Sequence, residues 1–143
     1  MKISEADILI APGLGNSGPE HWQRRWGERM RTARFIEQDD WDRPLPADWI
    51  ARIHQEIIYS TRPVVLIGHS LSVLAIVIAA RTLVDTKVRG AFLVSPPDIA
   101  GPNAPSEALP FAPPTDPLPF PSMVVVSTTD PLVTVDRARG FAA

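Results

Sequence analysis

Arg62-Pro-Val-Val-Leu-Ile-Gly-His-Ser-Leu-Ser-Val-Leu-Ala-Ile-Val-Ile-Ala-Ala-Arg-Thr-Leu83 decides the fold. Val64–Ile67 is a short β-branched and aliphatic run, as expected of a strand buried on both faces. Gly68-His-Ser-Leu-Ser72 follows without a break, and 73–83 reads as a buried helix. A serine flanked two residues either side by small residues, between a strand and a helix, is the G-x-S-x-G setting of a nucleophile elbow. The sharp turn lifts the hydroxyl of Ser70 clear of the sheet, and the small neighbours let strand and helix approach closely. Ser72 stands where the pattern has its second glycine and still fits sterically. The competing reading of Ser70 is an ordinary helix N-cap, a position that serine favours.

Outward from this centre the chain alternates strands and helices. Ile8–Ala11 reads as a buried strand, followed by the turn Pro12-Gly-Leu-Gly-Asn-Ser-Gly18. Ser17 and Glu20 have capping-box spacing, so a helix is predicted to start there. Trp22, Trp26 and Met30 fall four apart on one apolar face, with Arg24, Arg25 and Arg29 around the rest. Phe35–Glu37 is predicted as a second strand, and Asp48–Tyr59 as an amphipathic helix with Trp49, Ile53 and Ile57 inward. Val88–Val94 and Met123–Ser127 are predicted strands, and a last helix starts at Val135. Successive βα units imply a three-layer parallel α/β sheet, Rossmann-like, with helices on both faces. Ser95–Pro121 breaks the rhythm, because ten of the 16 prolines fall there and forbid a helix or a central strand. Two uses compete for it: a wall of a substrate pocket over the strand ends, or a solvated connector.

Composition narrows the classes. A chain of 143 residues makes one domain, 1–143, and its 45% apolar and 21% charged content is ordinary for a globular protein. A net charge of −2 gives no reason to expect nucleic acid or an anionic membrane as partner. The absence of cysteine removes disulfides, a thiolate nucleophile and cysteine metal sites. Metal-ligand spacing and a phosphate-binding P-loop are likewise not found, so no cofactor is expected. The polar amino terminus does not read as a signal peptide, and a cytoplasmic location is the expectation. Val64–Ala80 is apolar, but is slightly short for a span and is interrupted by Gly68, His69 and Ser70.

Serine hydrolysis needs a nucleophile, a base, a group orienting the base, and donors for the oxyanion. Ser70 supplies the first. The backbone N–H groups of Leu71 and of Leu14, in the first βα turn, are the candidate donors. Asp130, just past a strand, sits where the acid belongs, although Asp-Pro also forms ordinary turns. Asp98 is the reserve acid. The base should follow Asp130, yet the three histidines are His21, His54 and His69. His69 is expected to project away from the Ser70 hydroxyl and His54 to lie on the polar side of a helix. His21 is the candidate substitute base, against a structural role packing with Trp22. The strongest rival reading is dinucleotide binding, since Gly13-x-Gly15-x-x-Gly18 follows a strand and Glu37 lies about 20 residues on, where a ribose ligand belongs. Pro19 and bulky Trp22 beyond the third glycine argue against it. An inactive binding module is the other alternative.

Five stretches together resemble one family: Ile8-Leu-Ile-Ala-Pro-Gly-Leu-Gly-Asn-Ser-Gly-Pro-Glu-His-Trp22, Gln38-Asp-Asp-Trp41, Gly68-His-Ser-Leu71, Val94-Ser-Pro-Pro-Asp98 and Ser127-Thr-Thr-Asp-Pro131. In this order they are similar to the small α/β-hydrolases related to retinoblastoma-binding protein 9 and YdeN. The resemblance implies a serine hydrolase, esterase-like, acting on a small ester or amide, with Ser70 as nucleophile and Asp130 as acid. It further implies that a last strand, a Gly-His pair and a final helix would follow residue 143, so the chain is expected to be a fragment. The strand at 123–127 is then expected to present an unpaired edge through which copies could associate.

Overall fold

The computed structural model describes residues 2–83 and 87–142. Among the described residues there are five strands: β1 (Asp7–Ala11), β2 (Ala33–Phe35), β3 (Val64–His69), β4 (Val88–Val94) and β5 (Ser122–Val125). All pair in parallel, in the order β2-β1-β3-β4-β5. The order reverses direction between β1 and β3, and ligands of open α/β sheets bind outside the carboxyl ends of strands at such a switch point. Two turns meet there, the glycine-rich one after β1 and the serine elbow after β3.

Helices α1 (Trp22–Arg29), α2 (Pro46–Tyr59), α3 (Leu71–Ala79) and α4 (Val135–Ala142) connect or follow the strands. Side chains alternate across the sheet with period two. Leu9, Leu66 and Leu93 face α2 and α3 in the larger core, while Ile8, Ile10 and Ile67 face Trp22 of α1 in the smaller one. Eight of the nine residues of α3 are buried, which explains why its sequence is apolar all round instead of striped.

Several boundaries differ from the sequence expectation. β1 opens at Asp7, β3 runs on to His69, and α3 spans Leu71–Ala79 instead of 73–83, with a 3-10 turn at Ala80–Thr82 after it. The capping box at Ser17 does not start a helix: α1 begins at Trp22, capped by His21. Ser17 instead hydrogen-bonds the Gln23 side chain. The second strand ends at Phe35 because its register against β1 pairs Ala33 with Ile8 and Phe35 with Ile10. Pro46, fixed at a helical φ, opens α2 two residues early. Finally, β5 covers Ser122–Val125 instead of 123–127.

The proline-rich segment contains one short 3-10 turn, Ser106–Ala108. It is not a solvated connector, for Ala108, Phe111 and Phe120 are buried in the larger core. The Phe111 ring meets Trp49 of α2 edge-on, at 5.8 Å between centroids. Prolines here keep the backbone extended while two aromatic anchors hold it against the sheet layer.

Candidate active site

The β3–α3 junction has the geometry of an elbow. Ser70 adopts φ 53° and ψ −120°, a strained region for a residue with a side chain. Its N–H donates to the Val94 carbonyl at 2.9 Å, and its carbonyl accepts from Val73 N–H at 3.0 Å. The turn is therefore held by the neighbouring strand and by the first turn of α3, while the half-exposed Ser70 hydroxyl has no hydrogen-bond partner among the described residues. Gly68 is needed for contact, not for dihedral freedom: a Cβ there would sit 2.7 Å from Ile76 Cδ1.

The turn after β1 folds onto the elbow. A Cβ on Gly13 would lie 2.9 Å from the His69 carbonyl oxygen and 3.1 Å from Ser70 Cβ. Gly13 is thus glycine because two backbones touch. The next residue is Leu14, and neither its N–H nor that of Leu71 has an acceptor among the described residues. For Leu71 this is the unpaired donor of a first helical position. Two backbone donors without acceptors therefore lie in the two turns that meet at the serine, and such donors can receive a developing oxyanion. The same contacts account for the glycines that suggested a dinucleotide site. Gly15 takes φ 77° and its N–H bonds the Trp41 carbonyl at 2.9 Å. No helix starts at Gly18, so the phosphate-cradling geometry of strand, glycine turn and immediate helix is not formed.

The three histidines separate. His54 is remote, its Nε2 lying 3.2 Å from the Ala79 carbonyl and 2.9 Å from the Thr82 hydroxyl, where it ties α2 to the end of α3. His21 and His69 sit together, ring centroids 4.7 Å apart in an edge-on contact, with Trp22 at 5.6 Å from His21 and 6.0 Å from His69. His21 Nδ1 accepts the Gln23 N–H at 3.1 Å, capping α1. That bond needs the lone pair of Nδ1, so neutral His21 carries its proton on Nε2 and acts as a donor. Burial lowers its pKa. His69 is pushed down to about 4, first by burial and then by its neighbour His21, while the Asp130 carboxylate pulls the other way.

The two candidate acids also divide. Asp98 receives Nε and Nη2 of Arg137 at 3.0 and 3.1 Å and the Ala100 N–H at 3.1 Å. The paired guanidinium lowers its pKa and leaves it no free oxygen. Asp130 accepts the Leu132 N–H on Oδ1 at 2.8 Å, while Oδ2 has no partner among the described residues. Asp130 is thus the carboxylate that acts electrostatically on the elbow histidine and keeps an oxygen open to a further bond. Sequence reasoning missed the electrostatic pull of Asp130 on His69, which depends on the strand order β3-β4-β5 setting both at the carboxyl end of one sheet. Beyond the carboxyl end of β4, Pro96, Pro97, Ile99, Pro113 and Val133 wall a cavity of about 270 Å³. No helix among the described residues is long and apolar enough to cross a membrane.

A parallel α/β sheet bearing a strained serine at its strand–helix elbow defines the α/β-hydrolase class. Within it the chain belongs to the Serine hydrolase family, whose model matches residues 8–143. The fold is similar to that of a protein described as a YdeN-like hydrolase from Pectobacterium atrosepticum, at TM-score 0.83 and 29% identity, covering 98% of this chain and 73% of that one. It is also similar to the ydeN gene product of Bacillus subtilis, at TM-score 0.68 and 19% identity, covering 96% and 82%; this second likeness concerns the fold alone. No curated protein matches it by sequence. Hydrolase chemistry follows from the family.

Proposed function

We propose that the chain cleaves small acyl esters through attack of Ser70 Oγ on the substrate carbonyl, with the N–H groups of Leu14 and Leu71 receiving the oxyanion. The observation that carries this reading is the unbonded, half-exposed Ser70 hydroxyl at φ 53°, flanked by two unbonded amides. Asp130 is assigned as the acid, because its free oxygen could orient and charge-stabilise a base. His21 is assigned to capping, since taking up the Ser70 proton on Nε2 would require giving up the Nδ1 cap. Asp98 is assigned to the Arg137 ion pair.

No histidine among the described residues is bonded to Ser70. Attack then relies on the small alkoxide fraction, the leaving group departs without a placed acid, and water or hydroxide hydrolyses the resulting acyl-serine, releasing the carboxylic acid and restoring the Ser70 hydroxyl. Esters with good leaving groups fit this chemistry; amides, whose amine must be protonated to leave, do not. The oxyanion donors and binding alone are worth about 10³- to 10⁴-fold over water.

The test is p-nitrophenyl acetate turnover and fluorophosphonate labelling, each against Ser70→Ala. Ser70-dependent turnover rising steadily from pH 6 to 9 is expected. A plateau near neutrality would show that a histidine does serve as base and would overturn the capping assignment of His21. Labelling that survives Ser70→Ala would remove Ser70 as nucleophile. The missing bond to a base also favours a second reading, a binding module on a hydrolase fold, which predicts no labelling at any pH.

A further inference from the structure

The serine at position 72 occupies the last small position of the elbow pattern, yet the structure gives its hydroxyl a partner. Ser72 is 2% exposed, and its Oγ donates to the carbonyl of Pro12. Pro12 is buried as well, and its carbonyl has no other partner among the described residues. The bond joins two segments 60 residues apart. One is the first turn of α3, directly behind Ser70 and Leu71. The other is the start of the turn that carries Leu14.

The rest of that turn is pinned from other directions. Gly15 N–H reaches the Trp41 carbonyl, and Asn16 N–H the Gly13 carbonyl at 3.0 Å. Fully buried Gln23 takes the Ser17 hydroxyl at 2.8 Å and donates to the Ala11 carbonyl at 3.0 Å. Arg24 holds the Ser17 carbonyl at 2.9 Å and the Asn16 side chain at 3.1 Å. These contacts fix the turn to α1 and to the loop holding Trp41. Among the described residues, only Ser72 ties it by a side-chain hydrogen bond to the helix that begins at the nucleophile.

We infer that Ser72 is a positioning residue for the oxyanion site: its hydroxyl sets the separation of the Leu14 and Leu71 amides by clamping Pro12 to α3. Two amides from different segments act on one oxygen only if both are held to within fractions of an ångström. Gly13 supplies the close approach; Ser72 supplies the lock. A glycine at position 72 would meet the steric demand of the elbow but would leave the Pro12 carbonyl buried without a donor, so the turn must shift to find one.

The catalytic consequence rests on the reading of Ser70 as nucleophile; the clamp itself does not, and the experiment separates them. Ser72→Ala and Ser72→Gly are compared with the unchanged protein by amide hydrogen exchange on the intact chain. Both variants should exchange the Gly15 and Asn16 amides at least about tenfold faster, while Ile53 and Ile57 in α2 stay protected. On p-nitrophenyl acetate, kcat should fall about 10- to 100-fold with KM changed less than about twofold, because the lost contact acts on the oxyanion and not on the bound ester. Unchanged exchange at Gly15 and Asn16 overturns the clamp. So does a Ser72→Gly variant with full kcat, which would show that small size is all the position requires. If the unchanged protein shows no Ser70-dependent turnover, the hydrolytic reading falls and the exchange result alone decides the clamp.

Discussion

His69 lies between groups of opposite influence. Burial and the ring of His21 favour its neutral form; the Asp130 carboxylate favours the cation and is outweighed, leaving the pKa at about 4. His21 is shifted in the same direction by burial. Both residues titrate lower in the folded chain than the usual imidazole value of about 6.5. The unfolded chain therefore binds protons more readily below that value, and the stability these groups contribute is complete above pH 6.5. It should be lost as pH falls from about 6.5 towards 4, levelling once folded His69 is itself protonated. Urea unfolding midpoints across that range would show the slope, and His69→Gln should flatten it. Asp130→Asn removes the one stabilising charge, so His69 should then titrate still lower in an NMR titration. A midpoint that does not move would mean the carboxylate is not beside the ring. None of this could be read from the chain alone, because His69 ends β3 and Asp130 follows β5, and only the strand order β3-β4-β5 sets both at the same end of one sheet. The role of His21 was hidden for a different reason: a histidine cap has no sequence signature as clear as Ser17 with Glu20, and the stronger signal was the wrong one.

Among the elements, β3 and α3 were the most legible, because a strand buried on both faces and a helix buried all round leave continuous apolar runs. Their junction packs so closely that it can be tested directly. Gly68→Ala would place a methyl 2.7 Å from Ile76 Cδ1, and Ile76 is fully buried, so the overpacking should cost about 1–3 kcal/mol. Ile76→Val removes that same terminal carbon and alone should cost about 0.5–1.5 kcal/mol. Together they should cost less than their sum, since the valine makes room for the alanine. Strict additivity in urea unfolding would show that Gly68 serves some other purpose than closeness to α3. The proline-rich segment was legible only as an interruption. Its proline spacing excluded helix and central strand, but burial of Phe111 and Phe120 depends on where α2 presents Trp49, which no local pattern encodes. The end of β2 was set likewise by pairing with β1 and not by its own residues.

The molecule as a whole is a parallel sheet whose two faces are unequally covered. Parallel sheets are normally buried on both sides. Here α2 and α3 cover one face, and α4 joins them, since Gly140 lines a cavity together with Val77, Leu93 and Val124. On the other face α1 covers β1 and β3. Register places Met123 beside Phe92 and Val125 beside Val94 on that second face, where Met123 is 61% and Val125 38% exposed. Trp26, 39% exposed, stacks on Phe92 at 5.6 Å and extends the same apolar surface. Among the described residues β5 is the outer strand of the sheet beside β4, and no strand pairs its other side. An apolar face next to an open strand edge favours association with a second copy. Sedimentation should show an average mass that rises with protein concentration. Met123→Lys puts a charge on the open face beside the edge without touching the larger core, so it should return the mass to that of a monomer while leaving Ser70 labelling unchanged. A monomer at every concentration, or association indifferent to Met123→Lys, would place the tolerance for this exposed surface within the single chain.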